Sequence, residues 1–242
     1  MNWIEFNDID SRNITGLLIQ SLPPISKPRM RYQVEEIDGR DGDIITKLGY
    51  ASYDKEVLIG LHGNYDVDSV ISFFATESYD KRIIFSNEPD KIYKGVVLEQ
   101  IDFERLIRFK QAVVKFHVQP YKYSAIQSQS TWSTTTTSTR ECYNYGNVES
   151  APSYRIIGDG VINVRINNQL VGTVDLTDVG DITVDASLLE AYTQFPENLC
   201  NRKVNIDYDA LKLWVGSNNI RFTTTSGATF TEATITDQSR WI

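Results

Sequence analysis

The feature that most constrains this chain is alternation: apolar side chains recur at every second position in short runs, separated by turn-forming residues. Met30, Tyr32 and Val34 alternate with Arg29, Arg31, Gln33 and Glu35. A period of two fits a pleated strand whose successive side chains face opposite ways, so this run predicts a half-buried strand, apolar side inward. Asp38-Gly39-Arg40-Asp41-Gly42-Asp43 separates it from Ile44-Ile45. Its glycines reach positive φ without steric cost, which predicts a hairpin turn. The same acids suggest a calcium loop, but the other liganding positions and the closing Glu of an EF-hand are missing, and the turn is the better reading.

The alternation continues over residues 57–61, 83–85 and 114–118, where Lys115, His117 and Gln119 face away from Val114, Phe116 and Val118 and Pro120 is expected to end the strand. One segment departs from it. Val67, Val70, Ile71 and Phe74 fall on one helical face behind Asp66, a residue suited to capping, and predict one short helix. Beyond residue 142 the pattern resumes. Ile162, Val164 and Ile166, then Val204, Ile206 and Tyr208, then Leu211, Leu213 and Val215 mark short strands, with Ile220 and Phe222 after Gly216-Ser217-Asn218-Asn219. Many short strands between Gly, Asn and Asp turns predict a sandwich or jelly roll, with a helical turn expected near residues 187–192.

Between these regions lies a polar run, Ser124 to Thr139, rich in Ser and Thr and unable to form a core. It reads as a connector or an extended edge segment. The expected organisation is a β domain over residues 1–123, a connector over 124–141 and a second β domain over 142–242. The fold class is all-β, mainly β with one short helix.

Composition narrows the function. A net charge of −8 argues against a protein that grips nucleic acid through a basic face, although an acidic wall suits DNA that must slide past. No apolar run is long enough to span a bilayer. The start, Met1-Asn2-Trp3-Ile4-Glu5-Phe6, lacks a signal-peptide pattern, so synthesis and folding in a cytoplasm are expected. The two cysteines, Cys142 and Cys200, are expected as buried thiols rather than a disulfide.

Chemistry-bearing motifs are scarce. His62 and His117 are the only histidines, and no zinc-ligand spacing, phosphate-cradling loop or Gly-x-Ser-x-Gly elbow occurs. The expectation is a protein that is not an enzyme, with no catalytic residue, metal or cofactor. Trp214 stands out because Leu213 and Val215 should point inward, leaving it on the opposite face. Trp214, Trp132 and Trp241 each have three readings open: packing within the chain, a subunit interface, or a ligand platform.

Particular residues carry a family resemblance. Gly16-Leu17-Leu18-Ile19, then Leu22-Pro23-Pro24-Ile25-Ser26-Lys27-Pro28, then Arg31-Tyr32-Gln33-Val34-Glu35-Glu36-Ile37-Asp38-Gly39-Arg40-Asp41-Gly42 resemble the start of the distal tail (Dit) proteins of siphovirus-type bacteriophages. Phe85-Ser86-Asn87-Glu88-Pro89-Asp90-Lys91-Ile92-Tyr93-Lys94-Gly95, Val118-Gln119-Pro120-Tyr121-Lys122-Tyr123 and Asn144-Tyr145-Gly146-Asn147 with Ser150-Ala151-Pro152 agree. Leu211-Lys212-Leu213 with Gly216-Ser217-Asn218-Asn219-Ile220 resembles the family's closing strands. Relatives often carry Gly before the penultimate strand, where this chain has Asn205-Ile206-Asp207-Tyr208.

The resemblance implies an N-terminal β-sandwich with a helix and a protruding hairpin, and a C-terminal galectin-like jelly roll. It implies a homohexameric ring at the virion tail tip, a baseplate hub joining the tail-tube protein to a tail-associated hub or fibre protein. Receptor-binding protein would attach at the periphery, and genomic DNA would pass through the channel without specific binding. On this reading Arg29, Arg31, Glu35, Arg40, Asp41 and Asp43 are the candidates for subunit contacts, and Trp214 for a ligand or partner platform. The alternative is a carbohydrate-binding adhesin that recognises host cell-wall saccharide through the second domain. A cell-wall hydrolase fits less well, for want of an acid/base pair.

Overall fold

The computed structural model describes the chain except residues 76–80, 127 and 134–137, and over residues 128–133 it describes the backbone. The chain divides into two compact units, Met1–Ala125 with Ile242, and Ile126–Trp241. Among the described residues it is overwhelmingly β, with two short α-helices.

In the first unit the strands are β1 (Ile4–Phe6), β2 (Ile9–Asp10), β3 (Leu17–Ser21), β4 (Met30–Glu36), β5 (Asp43–Tyr50), β6 (Tyr53–Leu61), β7 (Lys81–Phe85), β8 (Lys91–Val97) and β9 (Gln111–Ser124). All but β4 and β5 join one curled antiparallel sheet in the order β2-β1-β7-β8-β9-β6-β3. Its inner face carries a core in which Phe116 sits at the centre. The Phe116 ring lies 5.3 Å from Phe6, 5.9 Å from Phe85 and 6.2 Å from Phe74, mostly edge-on, the geometry that aromatic quadrupoles favour.

Helix α1 (Val67–Phe74) begins at Asp66, whose carboxylate accepts the Asp68 amide at 3.2 Å. Its buried face is Val70, Phe73 and Phe74, whereas Ile71 is exposed. The apolar stripe is thus turned from the expected one, because Phe73 rather than Ile71 meets the aromatic core. A second helix, α2 (Phe103–Phe109), is an addition to the single helix expected. Asp102 caps it by accepting the Arg105 amide at 2.8 Å, Leu106 is buried, and Lys110 ends it in the left-handed region at φ 58°.

Pro120 does not end its strand. The pairing of β9 with β6 stops at Val118 opposite Tyr53, but β9 runs on to Ser124 beside β8. Tyr93 faces Lys122 and Gly95 faces Val118, so four steps of β9 span two of β8. Pro120 falls within that bulge, where its missing N–H costs no ladder bond.

The second unit is a two-sheet sandwich of the jelly-roll kind. Its strands are β10 (Ser128–Ser133), β11 (Arg140–Asn144), β12 (Ser153–Asp159), β13 (Val161–Ile166), β14 (Gln169–Asp175), β15 (Asp181–Asp185), β16 (Glu190–Tyr192), β17 (Val204–Ile206), β18 (Gly216–Thr224) and β19 (Thr229–Asp237). One sheet runs β10-β19-β12-β15-β16 and the other β11-β18-β13-β14-β17, all antiparallel. Ile162, Val164, Ile166, Ile220 and Phe222 are buried between them, as their alternation requires.

Within the polar run, Ser128–Ser133 forms the edge strand β10 along β19, while residues 127 and 134–137 lie outside the described residues. Residues 187–192 form no helix. The Asp185 carboxylate accepts the Ser187 and Leu188 amides at 2.8 and 3.0 Å, and the turn feeds directly into β16. Cys142 is buried and Cys200 half-buried, and no disulfide joins them.

Candidate assembly surfaces

Among the described residues strands β4 and β5 pair only with each other, from Met30↔Tyr50 to Glu36↔Asp43, with a register shift between Arg31 and Tyr32. The apolar side expected to be inward is not buried. Tyr32 is 59% exposed, Val34 44% and Ile45 68%, and Val34 stands directly opposite Ile45. Two strands cannot bury a face against themselves, and this hairpin projects from the sheet instead of lying on the core. An isolated hairpin is only marginally stable in water, and its exposed apolar face makes it a candidate assembly surface.

The polar candidates distribute along the same hairpin. Arg29 lies at its root, where its carbonyl accepts the Ala51 amide at 2.8 Å. Arg31 reaches the Leu48 carbonyl at 3.4 Å, and Glu35 accepts from the Gln33 amide group at 2.8 Å on the polar face. Arg40 and Asp41 form the exposed turn with Gly39 and Gly42, both at positive φ. Asp43 opens β5 opposite Glu36, which leaves the tip acidic. The structure therefore places all six on one arm. It also adds Tyr32, Val34 and Ile45 on the apolar face, which alternation had marked as core.

A buried polar cluster fixes the root of the arm. Lys55 is 3% exposed, and its Nζ donates to the Pro24 carbonyl at 3.0 Å while lying 4.7 Å from the Tyr93 ring centre. The Asn87 amide holds the neighbouring Pro23 carbonyl at 3.0 Å. Glu88 takes the Lys122 Nζ at 2.9 Å on one oxygen and the Tyr93 hydroxyl on the other. Lys55 and Tyr53 lie on β6, Tyr93 on β8 and Lys122 on β9, so three adjacent strands grip the segment that leads into β4. The Pro23-Pro24 and Asn87-Glu88 segments thus meet in space. Their separation of about sixty residues hid this from the sequence.

Burial lowers the Lys55 pKa to about 8; the Glu88 charge opposes the shift and Lys122 adds to it. Burial, reinforced by Glu88, raises that of Tyr53 to about 12. Because the folded Lys55 releases its proton before the unfolded one, the unfolded chain binds more protons between pH 8 and 10.5. Stability of this unit should therefore rise with pH from about 8 to 10, by roughly 2 kcal/mol, then fall as the unfolded tyrosines ionise. The Tm difference between the natural chain and Lys55→Met, followed across that range, should grow in favour of the natural chain; a flat difference would count against a buried ammonium.

In the second unit Trp214 is 69% exposed. Leu211 and Leu213 are buried as expected, but Val215 is exposed, because the chain turns at Trp214 and enters β18 only at Gly216. Fully buried Asn218 holds the turn. Its amide donates to the Trp214 and Gly216 carbonyls at 2.8 and 3.0 Å, and its oxygen accepts the Trp214 amide at 3.1 Å. Tyr143 on the neighbouring strand β11 and Tyr145 just after it are exposed too, with ring centres 4.7 Å apart. Among the described residues no group of three or more His, Cys, Asp or Glu side chains could hold a metal ion, and no helix is long and apolar enough to cross a membrane.

No family model matches this chain, and no curated protein matches it. Among solved structures it is similar to the SPP1 Dit protein, presented as a paradigm of the hub adsorption apparatus in Gram-positive infecting phages. The similarity covers 100% of both chains at 16% identity, with a TM-score of 0.68. At that identity the likeness establishes a shared fold over the full length.

Proposed function

We propose that this chain is a structural, non-enzymatic hub subunit of a phage tail, six copies of which close into a ring through their β4–β5 arms. The observation that carries this is the arm itself: an anchored hairpin with an unburied apolar face, on a fold shared end to end with a phage hub protein. Covering the exposed parts of Tyr32, Val34 and Ile45 contributes about 1–2 kcal/mol per side chain, repeated at every contact around a closed ring. The ring would join the tail-tube protein on one side to a hub or fibre protein on the other, at the virion tail tip, with receptor-binding protein at its periphery. A net charge of −8 suits a channel wall that must release DNA.

Light scattering of the purified chain should report a hexamer. Replacing Tyr32 and Val34 by glutamate should return it to a monomer with unchanged circular dichroism, since both side chains are exposed. A natural chain that stays monomeric at every concentration sinks the ring.

A second reading draws on the second unit. Exposed Trp214 and the Tyr143–Tyr145 ring pair offer apolar faces to sugar rings, which would make that unit a saccharide-binding adhesin. It predicts binding of host wall polysaccharide that weakens in Trp214→Ala. Absence of any binding by the natural chain removes it.

A further inference from the structure

The second unit presents a polar outer face on the sheet β11-β18-β13-β14-β17. Alternate residues of β13 and β18 are buried in the sandwich, so the intervening ones line the outside. The register sets them in cross-strand rows. Tyr143 pairs with Ser217 in one row and Glu141 with Asn219 in the next. Arg221 then faces Arg165. Beyond them Thr223, Asn163, Thr173 and Asn205 cross four strands in a line.

The arginine row is the unusual one. Like charges directly opposite each other destabilise a sheet, and a doubled positive charge is a local exception on a chain of net charge −8. Arg221 is exposed and Arg165 half-buried. Among the described residues Arg165 forms no ion pair, and its Nη1 donates to the Asn168 carbonyl at 3.3 Å. The acids of this face stand at its margins. Glu141, on the edge strand, accepts the Ser217 hydroxyl, and Asp175, at the end of β14, lies 3.7 Å from the Lys203 Nζ.

Two guanidinium forks offer more donors than one carboxylate accepts, whereas the oxygens of a phosphate can take a fork from each side. The adjacent Asn163 amide and the Thr173 and Thr223 hydroxyls both donate and accept, as sugar hydroxyls require. Ser217, the partner of Tyr143, lies four residues from Arg221, about 13 Å along β18. Trp214 precedes the same end of that strand. Exposed rings and paired charge so far apart fit one extended ligand.

We infer that this outer face binds a saccharide polymer carrying phosphodiesters. A phosphate sits between Arg165 and Arg221, sugar hydroxyls meet the Asn163 row, and a sugar ring stacks at the Tyr143 and Trp214 end. This rests on the saccharide reading of the second unit and names the chemistry of its ligand. Nucleic acid fits less well, because its affinity comes from many phosphate contacts and this face offers two arginines.

The test is calorimetric titration of the natural chain with three probes: glycosylated poly(glycerol phosphate), dextran and a DNA oligomer. The first should bind, and the other two about tenfold more weakly or not at all. Joint Arg165→Gln and Arg221→Gln should weaken the first by about tenfold or more with unchanged circular dichroism. Joint Arg165→Lys and Arg221→Lys, which keeps the charge and loses the forks, should fall between. Polymer binding indifferent to both arginine pairs, or DNA binding as tight as the polymer, overturns the phosphate site. Dextran binding that Trp214→Ala abolishes and the arginine pairs leave intact overturns it too, while preserving the saccharide reading. No binding to any probe also overturns the site, and the wall-polysaccharide titration decides the broader reading separately.

Discussion

Replacing Glu88 by alanine is expected to destabilise the first unit by about 3–5 kcal/mol, the cost of stripping a buried ion pair of one partner. Glu88 is the counter-charge of Lys122, whose side chain is 9% exposed, and the acceptor for the Tyr93 hydroxyl. Its loss leaves two buried ammonium groups, Lys55 and Lys122, with no carboxylate between them. Adding Lys122→Met should recover much of the loss, because the uncompensated charge goes with it. Hydrogen exchange of the β9 amides reads this unit separately from the sandwich. A Glu88→Ala chain with natural β9 protection would show that the cluster contributes nothing.

Phe116→Ala is the second large effect, at about 3–5 kcal/mol. The ring is fully buried and touches Phe6, Phe74 and Phe85, which come from β1, α1 and β7. No single element can close the cavity left behind, since each is held by its own strand or helix. Phe116→Leu should cost less than half as much. Equal losses in urea denaturation would argue that shape rather than volume is limiting.

Much of the fold was legible because alternation is a direct image of the pleat. Ile162, Val164 and Ile166 read as a core strand and are one. The pattern reports which residues share a face, however, and not what covers that face. Met30, Tyr32 and Val34 share a face as expected, yet that face stays largely exposed, because among the described residues β4 and β5 pair only with each other. Val215 failed for a different reason: alternation was extended across a turn that Asn218 imposes from three residues away. Helix α2 was missed because it has only two turns: Phe103, Leu106 and Ile107 fall at i, i+3 and i+4, too short a run to stand out, and the Asp102 cap was the other available signal. Pro120 was read as a stop because a proline's effect depends on whether its position needs a donor, which only the bulge reveals. The Lys55 cluster joins residues from four separate segments, and no local pattern encodes such a meeting.

The two feet of the β4–β5 arm have a mechanical consequence. One foot, Pro23-Pro24, is held by Lys55 and Asn87, and the other continues through Ala51 into β6. A pull on the arm therefore divides between a covalent path into a central strand and a buried polar clamp seated on three strands. Load shared in this way shears many sheet bonds together instead of peeling them one by one. An arm so mounted can transmit tension between neighbouring subunits while the sheet behind it keeps its shape.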